Sequence, residues 1–438
     1  MNLIGDEYEL FEDDTDATPR RTRNPLVVLV VPSGSYRATD FVAAAQALRV
    51  DLVVASDGDV PMGDIGRSRS LMIDFRRREW SASKIAKVSP RPDAVIAADD
   101  QGVPIAAQAC VILGIVSNPI VAATATRDKA QMRGLLASAG VPQPDFRLAS
   151  PGSVARHARG LAYPCVVKPL GLSASRGVIR VNTDAEAVAA EERIRRIVGD
   201  AGGDRDAQLL VEKFVPGLEV AVEGILDNGE LKVLALLDKP DPLDGPYFEE
   251  TMFVTPSRHA RHLQEEIADV VVAATRGLGL VTGPVHAELR IGPDGVVLIE
   301  VAARPIGGLC GRALTFGLLG ESLESVIIRR ALGLPGAGLD GASAATGVLM
   351  IPIPSTGKLV TIDGVDEALA VDGVTGFDQT IANGKMAQPL PEGSRYLGFV
   401  FATGTSPDDV ERSLRIAHDA LTIVIEPTHE VGNSPEVC

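Results

Sequence analysis

Short apolar runs that alternate with helical segments constrain the fold of the first third of this chain more than any other feature. LVVLVV (residues 26–31) is rich in β-branched side chains and ends in the turn PSGS, and DLVVAS (51–56) and DAVIAADD (93–100) have the same form. Runs of this length and content are typical of strands that are buried on both faces of a sheet. Because helix-like stretches separate them, the pattern predicts a parallel, doubly wound α/β sheet.

Composition restricts both the class of protein and its partners. The chain has 438 residues, enough for two to four domains at roughly 100–200 residues each. It is 45% hydrophobic and 23% charged, as globular proteins are. The net charge of −16 argues against a nucleic-acid partner and against an anionic membrane surface. No apolar run reaches the ~18–20 residues that span a bilayer, which argues against an integral membrane protein. Together with the cysteines described next, these features predict a soluble, cytoplasmic α/β protein, most simply an enzyme.

The first residues and the cysteines give no sign of catalytic or metal chemistry. Residues 1–24 combine clustered acids and arginines with almost no apolar periodicity, which predicts a disordered leader, with a partner-binding tail as the alternative. The cysteines lack a CxxC motif and a histidine at metal-ligand spacing. We therefore expect reduced thiols at Cys110, Cys165, Cys310 and Cys438. No GxSxG motif and no Cys–His pair points to a covalent hydrolase.

Local signals mark where several helices begin. Thr126 is expected to cap one helix, and Thr183 and Glu186 form a capping box for another. Ser406, followed by proline and two acids, marks the start of the last helix. A longer helix is predicted over about residues 263–278.

A lysine and a loop of small residues suggest a phosphate site. Lys168 ends the apolar strand CVVKP, where an unpaired ammonium would be costly to bury, so it needs an anionic partner. The loop SASRG (residues 173–177) allows backbone N–H groups and hydroxyls to approach phosphate oxygens. An ordinary hairpin with a solvent-reaching lysine explains the same residues. Neither the Walker nor the Rossmann glycine motif is present, so a nucleotide would be held in another way.

A second turn could hold the base and the sugar of a nucleotide. The strand VEKFV (211–215) ends at Pro216, and backbone groups at a strand end can pair with an adenine edge. Glu219, at the start of the next strand, could accept hydrogen bonds from ribose hydroxyls. The alternative is a hairpin with surface acids.

The densest cluster of chemically useful residues lies on two strands joined by the turn GPDG (292–295). His286 and Glu288 alternate onto one sheet face, and the hairpin can bring Glu300 beside Glu288. Two close carboxylates repel each other unless a cation lies between them, and Mg²⁺ prefers such oxygen ligands. Arg304 adds a fork donor for a carboxylate or a phosphate. The alternative is a pair of solvent-facing acids on an exposed hairpin.

The order of these motifs resembles the ATP-grasp superfamily. The matching order is a βα half, a strand that ends in VVKP, a small-residue loop, EKFVPGLE, and then HAELR followed by LIEVAARPIGG. The tail, with VLMIPIPSTGKL, GVTGF and LPEGSRYLGFVFATG, is similar to the C-terminal domain of the L-amino-acid ligase branch. The resemblance covers roughly residues 26–425 and implies an α/β ATP-grasp fold.

The resemblance implies three domains after the leader. A Rossmann-like domain would occupy residues 25–125, and an ATP-grasp domain would occupy 126–340, with its small lobe at about 145–215. An α+β C-terminal domain of the amino-acid-ligase type would follow at 341–430. The two lobes of the middle domain would clamp ATP between their sheets.

The resemblance also implies roles for residues at matching motif positions. The nucleotide-binding residues would be Lys129, Lys168, Ser173, Ser175, Gly177, Glu212, Phe214, Val215 and Glu219. The ligands of Mg²⁺, or alternatively of Mn²⁺, would be Glu288 and Glu300. The substrate-binding residues would be Arg304, Gly307, Gly308, His286 and Glu249, and the catalytic residues would be Arg304, His286 and Lys168.

The implied reaction joins a carboxylate, in the simplest case that of an amino acid, to an amine through an acyl phosphate, with release of ADP and phosphate. Ala302 departs from the pattern, because many family members have a metal-binding asparagine at that position. Two alternatives stay open: a carboxylase of the bicarbonate or purine-pathway type, and a non-catalytic ATP-binding subunit. The partners would be small-molecule acid and amine substrates. The resemblance also implies a homodimer, as is usual in the family.

Overall fold

The computed structural model describes residues 23–60, 69–316, 320–336 and 344–427. Of the predicted leader, residues 1–22 lie outside this part of the chain, as does Cys438. Within the described ranges no helix is long and apolar enough to span a membrane.

A four-stranded sheet forms the N-terminal part of the structure. Its elements are β1 (Leu26–Val30), α1 (Ala38–Ala47), β2 (Asp51–Ser56), β3 (Arg69–Met72), α2 (Arg78–Ala86), β4 (Ala94–Ala97), α3 (Val103–Leu113) and α4 (Ile120–Ala125). The strands are parallel in the order β3-β2-β1-β4, so the predicted parallel sheet is confirmed. Val28 of β1 belongs to a core with Ile105 of α3, whereas Leu29 packs into a core with Phe41 of α1. Helices therefore cover both faces, which explains why β1 carries only apolar residues.

A smaller antiparallel sheet follows. Its elements are α5 (Lys129–Ser138), β5 (Phe146–Ala149), α6 (Val154–Leu161), β6 (Cys165–Pro169), β7 (Ile179–Val181), α7 (Asp184–Asp200) and β8 (Leu209–Lys213). The strand order is β5-β8-β6-β7. Val167 of β6 packs with Ile194 of α7, whereas its neighbours Val166 and Lys168 line a cleft on the other face. This two-residue alternation places a lysine in the cleft from an otherwise apolar strand.

The largest sheet begins in the middle of the chain and continues into the C-terminal region. The elements of the middle region are β9 (Leu218–Asp227), β10 (Glu230–Lys239), β11 (Met252–Thr255), α8 (Arg261–Leu278), β12 (Gly283–Gly292) and β13 (Gly295–Ala302). A 3₁₀-helix (Cys310–Ala313), β14 (Thr315–Phe316), β15 (Glu321–Ser322) and α9 (Leu323–Ala331) follow. The remaining elements are β16 (Ala345–Ile351), β17 (Gly357–Asp363), α10 (Val365–Leu369), β18 (Val374–Gln379), β19 (Met386–Ala387), β20 (Gly398–Gly404), α11 (Pro407–Asp419) and β21 (Thr422–Glu426).

Eight of these strands pair in the order β13-β12-β9-β10-β11-β16-β20-β18. Strand β11 pairs antiparallel with β16, so one sheet extends across the predicted domain boundary at residue 341. Two smaller sheets have the strand orders β14-β15 and β19-β17-β21. The C-terminal region is therefore joined to the middle of the chain by main-chain hydrogen bonds as well as by side-chain packing.

The helix starts agree with the sequence predictions except at α5. The prediction for Thr126 is wrong, because this residue has helical dihedral angles at the end of α4 and its hydroxyl donates to the carbonyl of Ala123. Asp128 is extended and caps α5, since its carboxylate accepts from the backbone N–H groups of residues 130 and 131. Thr183 and Ser406 cap α7 and α11 as predicted.

Candidate active site

A cleft of about 500 Å³ lies where the N-terminal sheet, the small sheet and the eight-stranded sheet meet. All of the predicted site residues line it except Gly177 and Glu249. The cleft also takes residues from the loop after β1, including Tyr36 and Arg37, and from the segment before β20, including Tyr396. The site is thus built by every large part of the described structure.

Two lysines reach the cleft from different elements. Lys129, at the start of α5, places its Nζ 3.1 Å from Oε1 of Glu300 and 2.9 Å from the carbonyl oxygen of Leu172. Lys168, on β6, places its Nζ 2.6 Å from Oε2 of Glu212. Both ammonium groups therefore carry a carboxylate partner and remain close to the open space of the cleft.

Glu212 is buried between two cations. Its second carboxylate oxygen, Oε1, lies 2.5 Å from Nε of Arg133, a residue that the sequence analysis did not select. Burial raises the pKa of the Glu212 carboxyl, but Arg133 and Lys168 outweigh burial and hold this pKa at about 2. The Glu212 side chain is thus an ionic anchor in the wall of the cleft.

The predicted metal ligands lie side by side. Glu288 of β12 and Glu300 of β13 are direct cross-strand partners, with about a quarter of each side chain exposed. Carboxylate oxygens at the edge of an open cleft are the donor set that Mg²⁺ prefers, so these residues fit the ion. Ala302, on the same strand, offers no oxygen from its side chain, so the site has one side-chain ligand fewer than the asparagine form would have.

A buried lysine joins Glu288 to two further acids. Lys239 of β10 lies 2.7 Å from Oε1 of Glu219 and 3.7 Å from Oε1 of Glu288, and it also contacts Glu250. Oxygens of the three acids lie within 4.8 Å of one another. Burial raises the pKa of Glu250 to about 7, against the pull of Lys239. Arg290 binds the other oxygen of Glu219 at 2.8 Å, so this predicted ribose ligand already has two cationic partners.

His286 lies between two acids. Its Nδ1 is 2.7 Å from Oε1 of Glu223, a fully buried residue on β9, and its Nε2 is 3.5 Å from Oε1 of Glu288. Burial lowers the pKa of His286, but hydrogen bonds to both carboxylates have the larger, opposite effect. The net result is a pKa raised from 6.5 to about 9. The two carboxylates thus favour the protonated imidazole, whose N–H groups donate to them.

Arg304 connects the eight-stranded sheet to the N-terminal sheet. Its Nε and Nη2 lie 3.1 and 3.2 Å from the two carboxylate oxygens of Asp100, which follows β4. This pair keeps the pKa of Asp100 below its ordinary value in spite of burial. Gly308 has a positive φ of 63°, and a Cβ there would lie 2.8 Å from Cζ of Phe399, so glycine is required. A Cβ on Gly307 would meet no atom within 4 Å.

The small-residue loop contacts the C-terminal region. The backbone N–H of Gly177 donates to the carbonyl of Pro391 at 2.9 Å, and Nε of Arg176 donates to the carbonyl of Glu392 at 2.8 Å. Arg193 of α7 binds both oxygens of the Glu392 carboxylate at 2.6 and 2.9 Å. The segment around Glu392 therefore holds the loop at residues 173–177, which is predicted to cover the phosphates, by direct hydrogen bonds.

The predicted adenine side of the cleft is aromatic and cationic. The rings of Phe214 and Phe248 lie 6.4 Å apart, and the guanidinium groups of Arg180 and Arg290 lie 4.3 and 5.1 Å from the Phe214 ring. Glu249 lies outside the cleft lining, and burial raises its pKa. Aromatic rings and guanidinium planes beside strand β8 are groups on which a planar base can stack.

Known families match two segments of the chain. Residues 161–313 match the ATP-grasp domain, and residues 349–426 match the L-amino acid ligase C-terminal domain 2. The predicted resemblance to both is confirmed.

Curated relatives are 28–29% identical to this chain over the parts that align. A Sinorhizobium fredii protein described as "Uncharacterized protein y4rH" is 29% identical over 70% of this chain and 63% of its own length. A D-alanine–D-alanine ligase of Desulforudis audaxviator is 29% identical over 44% of this chain and 64% of its own length. Dapdiamide A synthase of Enterobacter agglomerans is 28% identical over 69% of this chain and 73% of its own length. The chain thus spans less than two thirds of the first two relatives.

Solved structures share the fold. The L-amino acid ligase from Bacillus licheniformis superposes with a TM-score of 0.76 at 24% identity, covering 92% of this chain and 100% of that one. A carboxyaminoimidazole ribonucleotide synthase from Aspergillus clavatus, complexed with ATP, has a TM-score of 0.72 at 18% identity, covering 91% and 98%. The predicted ATP-grasp fold is confirmed.

Proposed function

We propose that this chain, which contains an ATP-grasp domain followed by an L-amino acid ligase C-terminal domain, is an ATP-dependent carboxylate–amine ligase. It would activate a carboxylate, such as that of an amino acid, as an acyl phosphate and transfer the acyl group to an amine, releasing ADP and phosphate. The observation that carries the proposal is the meeting of Lys129, Lys168, Glu288, Glu300 and Arg304 in one cleft.

In this proposal ATP lies in the cleft with its phosphates toward Lys129 and Lys168. Phe214 and Val215 would frame the adenine, Glu219 would accept from the ribose, and the loop at 173–177 would cover the phosphates. Glu288 and Glu300 would hold Mg²⁺, which when bound neutralises phosphate charge and orients the phosphoryl group for in-line attack. The alternative ion is Mn²⁺.

Charge neutralisation is the main task of the protein groups. Attack of a carboxylate on the γ-phosphoryl group brings anions together, so catalysis depends on positioning and on nearby cations. Lys168 of β6 and Arg304, which follows β13, would supply positive charge to the cleft. The two ring nitrogens of His286 are directed at Glu223 and Glu288, so this residue would orient substrate by holding the Glu288 carboxylate in position.

Exclusion of water is the second task, because an acyl phosphate hydrolyses unless the amine reaches it first. The loop at 173–177 and its contacts with Pro391 and Glu392 would close the cleft during the reaction. The division of the chain at about residues 125 and 340, a homodimer and a cytoplasmic location stay predictions.

The test is release of ADP and phosphate from Mg²⁺-ATP in pairwise pools of amino acids, small carboxylates and amines, with mass spectrometry of the products. We expect release that requires both an acid and an amine and that yields their amide. Release driven by bicarbonate without an amine would instead support the carboxylase. ATP binding with no release in any pool would support the non-catalytic subunit, for which Ala302 is the residue to change first.

A further inference from the structure

A second arginine faces the same end of the cleft as Arg304. Arg37, at the start of α1, is only 6% exposed and lines the cleft. Its Nη1 donates to the carbonyl oxygens of Ala98 and, at 3.3 Å, of Pro305. Nη1 of Arg304 donates to the same Pro305 oxygen at 3.0 Å. The two guanidinium groups are therefore neighbours that share one acceptor.

The two arginines differ in how their charges are compensated. Asp100 binds Arg304 through both carboxylate oxygens. Within the described residues, by contrast, no carboxylate oxygen lies within 4.0 Å of the Arg37 guanidinium, and its Nε and Nη2 donate to no protein group. Asp99, Glu223 and Glu324 act on it only from a longer range. Burial and the charge of Arg304 lower the pKa of Arg37, as expected for a buried cation without an anionic partner.

A buried cation with free donors beside an open cleft calls for an anionic ligand, because an unpaired buried charge is strongly unfavourable. A guanidinium with two unused donor positions matches a carboxylate in particular. We propose that Arg37 binds a substrate carboxylate other than the one that is activated. This inference rests on the proposed ligase function and adds a specificity-determining residue to it.

The carboxylate that binds Arg37 must keep its negative charge throughout the reaction. The activated carboxylate does not meet this condition, because it becomes an acyl phosphate and then an amide. Two sources meet this condition. One is the carboxylate of an amino acid that serves as the amine substrate, and the other is a second carboxylate on the acid substrate. In either case Arg37 would favour substrates that carry this group over neutral analogues.

The experiment measures equilibrium binding to the full chain in the presence of Mg²⁺-ADP, with wild type, Arg37→Gln and Arg37→Lys. The first arm compares L-amino acids with their C-terminal amides by calorimetry. The second arm compares aspartate and glutamate with asparagine and glutamine. Arg312→Gln is the matched control, because Arg312 also contacts α1, through Asp40, but lies outside the cleft lining.

We expect Arg37→Gln to weaken binding of the charged compounds in one arm by about tenfold or more and to leave their neutral analogues unchanged. The arm that responds identifies the source of the carboxylate. Arg37→Lys should recover part of the loss, and Arg312→Gln should show none. A residue that only pins the Pro305 carbonyl would affect charged and neutral compounds equally.

Equal losses for charged and neutral compounds would overturn the inference, as would a wild-type protein without any preference for the charged compounds. Turnover of the same compounds separates this outcome from failure of the ligase proposal. A charge preference that depends on Arg37, without product formation, contradicts the ligase and supports the anion site. Product formation without such a preference supports the ligase and contradicts the anion site at Arg37.

Discussion

The Glu212 carboxylate of β8 binds Arg133 of α5 and Lys168 of β6. Its Oε1 lies 2.5 Å from Nε of Arg133, and its Oε2 lies 2.6 Å from Nζ of Lys168. All three side chains are more than nine-tenths buried. Removing one member of such a group leaves an uncompensated charge, which costs more than the intact group contributes. At the scale of single residues, charged side chains that form the wall of the cleft therefore also affect the stability of the fold.

Acid unfolding should depend on Glu212. The pKa of its carboxyl falls from 4.5 to about 2 on folding, so its contribution is present above pH 4.5 and is lost as the pH decreases toward 2. A shift of this size corresponds to about 3 kcal/mol. We expect Glu212→Gln to reduce the pH dependence of the free energy of unfolding between pH 5 and about 2.5. Urea titrations across that range measure it.

The control for this prediction is Glu230→Gln, at an exposed position at the start of β10. This variant should keep the wild-type pH dependence. A Glu212→Gln protein with the same acid profile as wild type would contradict the assignment of Glu212 as a buried ionic anchor.

The sequence located most of the residues that line the cleft, but not the partners that hold them in place. Lys168, Glu288 and Arg304 stand out because of their strand-end positions and spacing. Their partners lie far away in sequence, as Asp100 does from Arg304, 204 residues apart, and meet them only through sheet packing. No local periodicity encodes such contacts, so Asp100 and Glu223 could be found only from the fold.

At the scale of elements, the loop at 173–177 and helix α7 are attached to the segment around Glu392. The attachment consists of two hydrogen bonds from the loop and a bidentate ion pair from Arg193. Helix starts were predictable here because capping is a local interaction, as at Thr183 and Ser406. The attachment was not predictable, because it joins residues about 200 positions apart.

Breaking this attachment should loosen the loop. We expect Glu392→Gln to raise the KM for ATP several-fold and to speed proteolysis near residues 173–177, because Arg193 loses its charged partner. Limited proteolysis with and without Mg²⁺-ATP reports on the loop directly.

Asp200→Asn is the matched control, because Asp200, the last residue of the same helix, makes an exposed ion pair with Arg205 at 3.5 Å. Such surface pairs contribute about 0–1 kcal/mol, so neither readout should change. Equal proteolysis of wild type and Glu392→Gln would rule out the attachment as a restraint on the loop.

At the scale of the whole molecule, one eight-stranded sheet runs through the middle and C-terminal regions. Strand order along the sheet crosses residue 341 between β11 and β16. The buried residues Met252 and Val254 of β11 share a core with Ile351 and Leu397 from the C-terminal region. The family resemblance implied a separate domain from residue 341, but alternation within strands does not specify which edge a strand joins.

Truncation tests this continuity. A fragment that ends at residue 340 would leave the edge of β11 and its apolar side chains uncovered, and such edges promote aggregation. We expect this fragment to aggregate or to unfold without cooperativity in calorimetry, whereas the full chain unfolds cooperatively. A monomeric fragment with a sharp transition would show that the C-terminal region is dispensable for folding of the rest.

The most direct test of the ligase proposal is the stoichiometry of ADP to amide product in wild type, Glu300→Gln and Asp294→Asn. Asp294 is an exposed acid in the turn of the same hairpin and serves as the control. The account predicts one ADP per amide, only when acid and amine are both present, with at least about a hundredfold loss in Glu300→Gln and none in Asp294→Asn. Undiminished turnover in Glu300→Gln, or ADP release without an amide product, would contradict it.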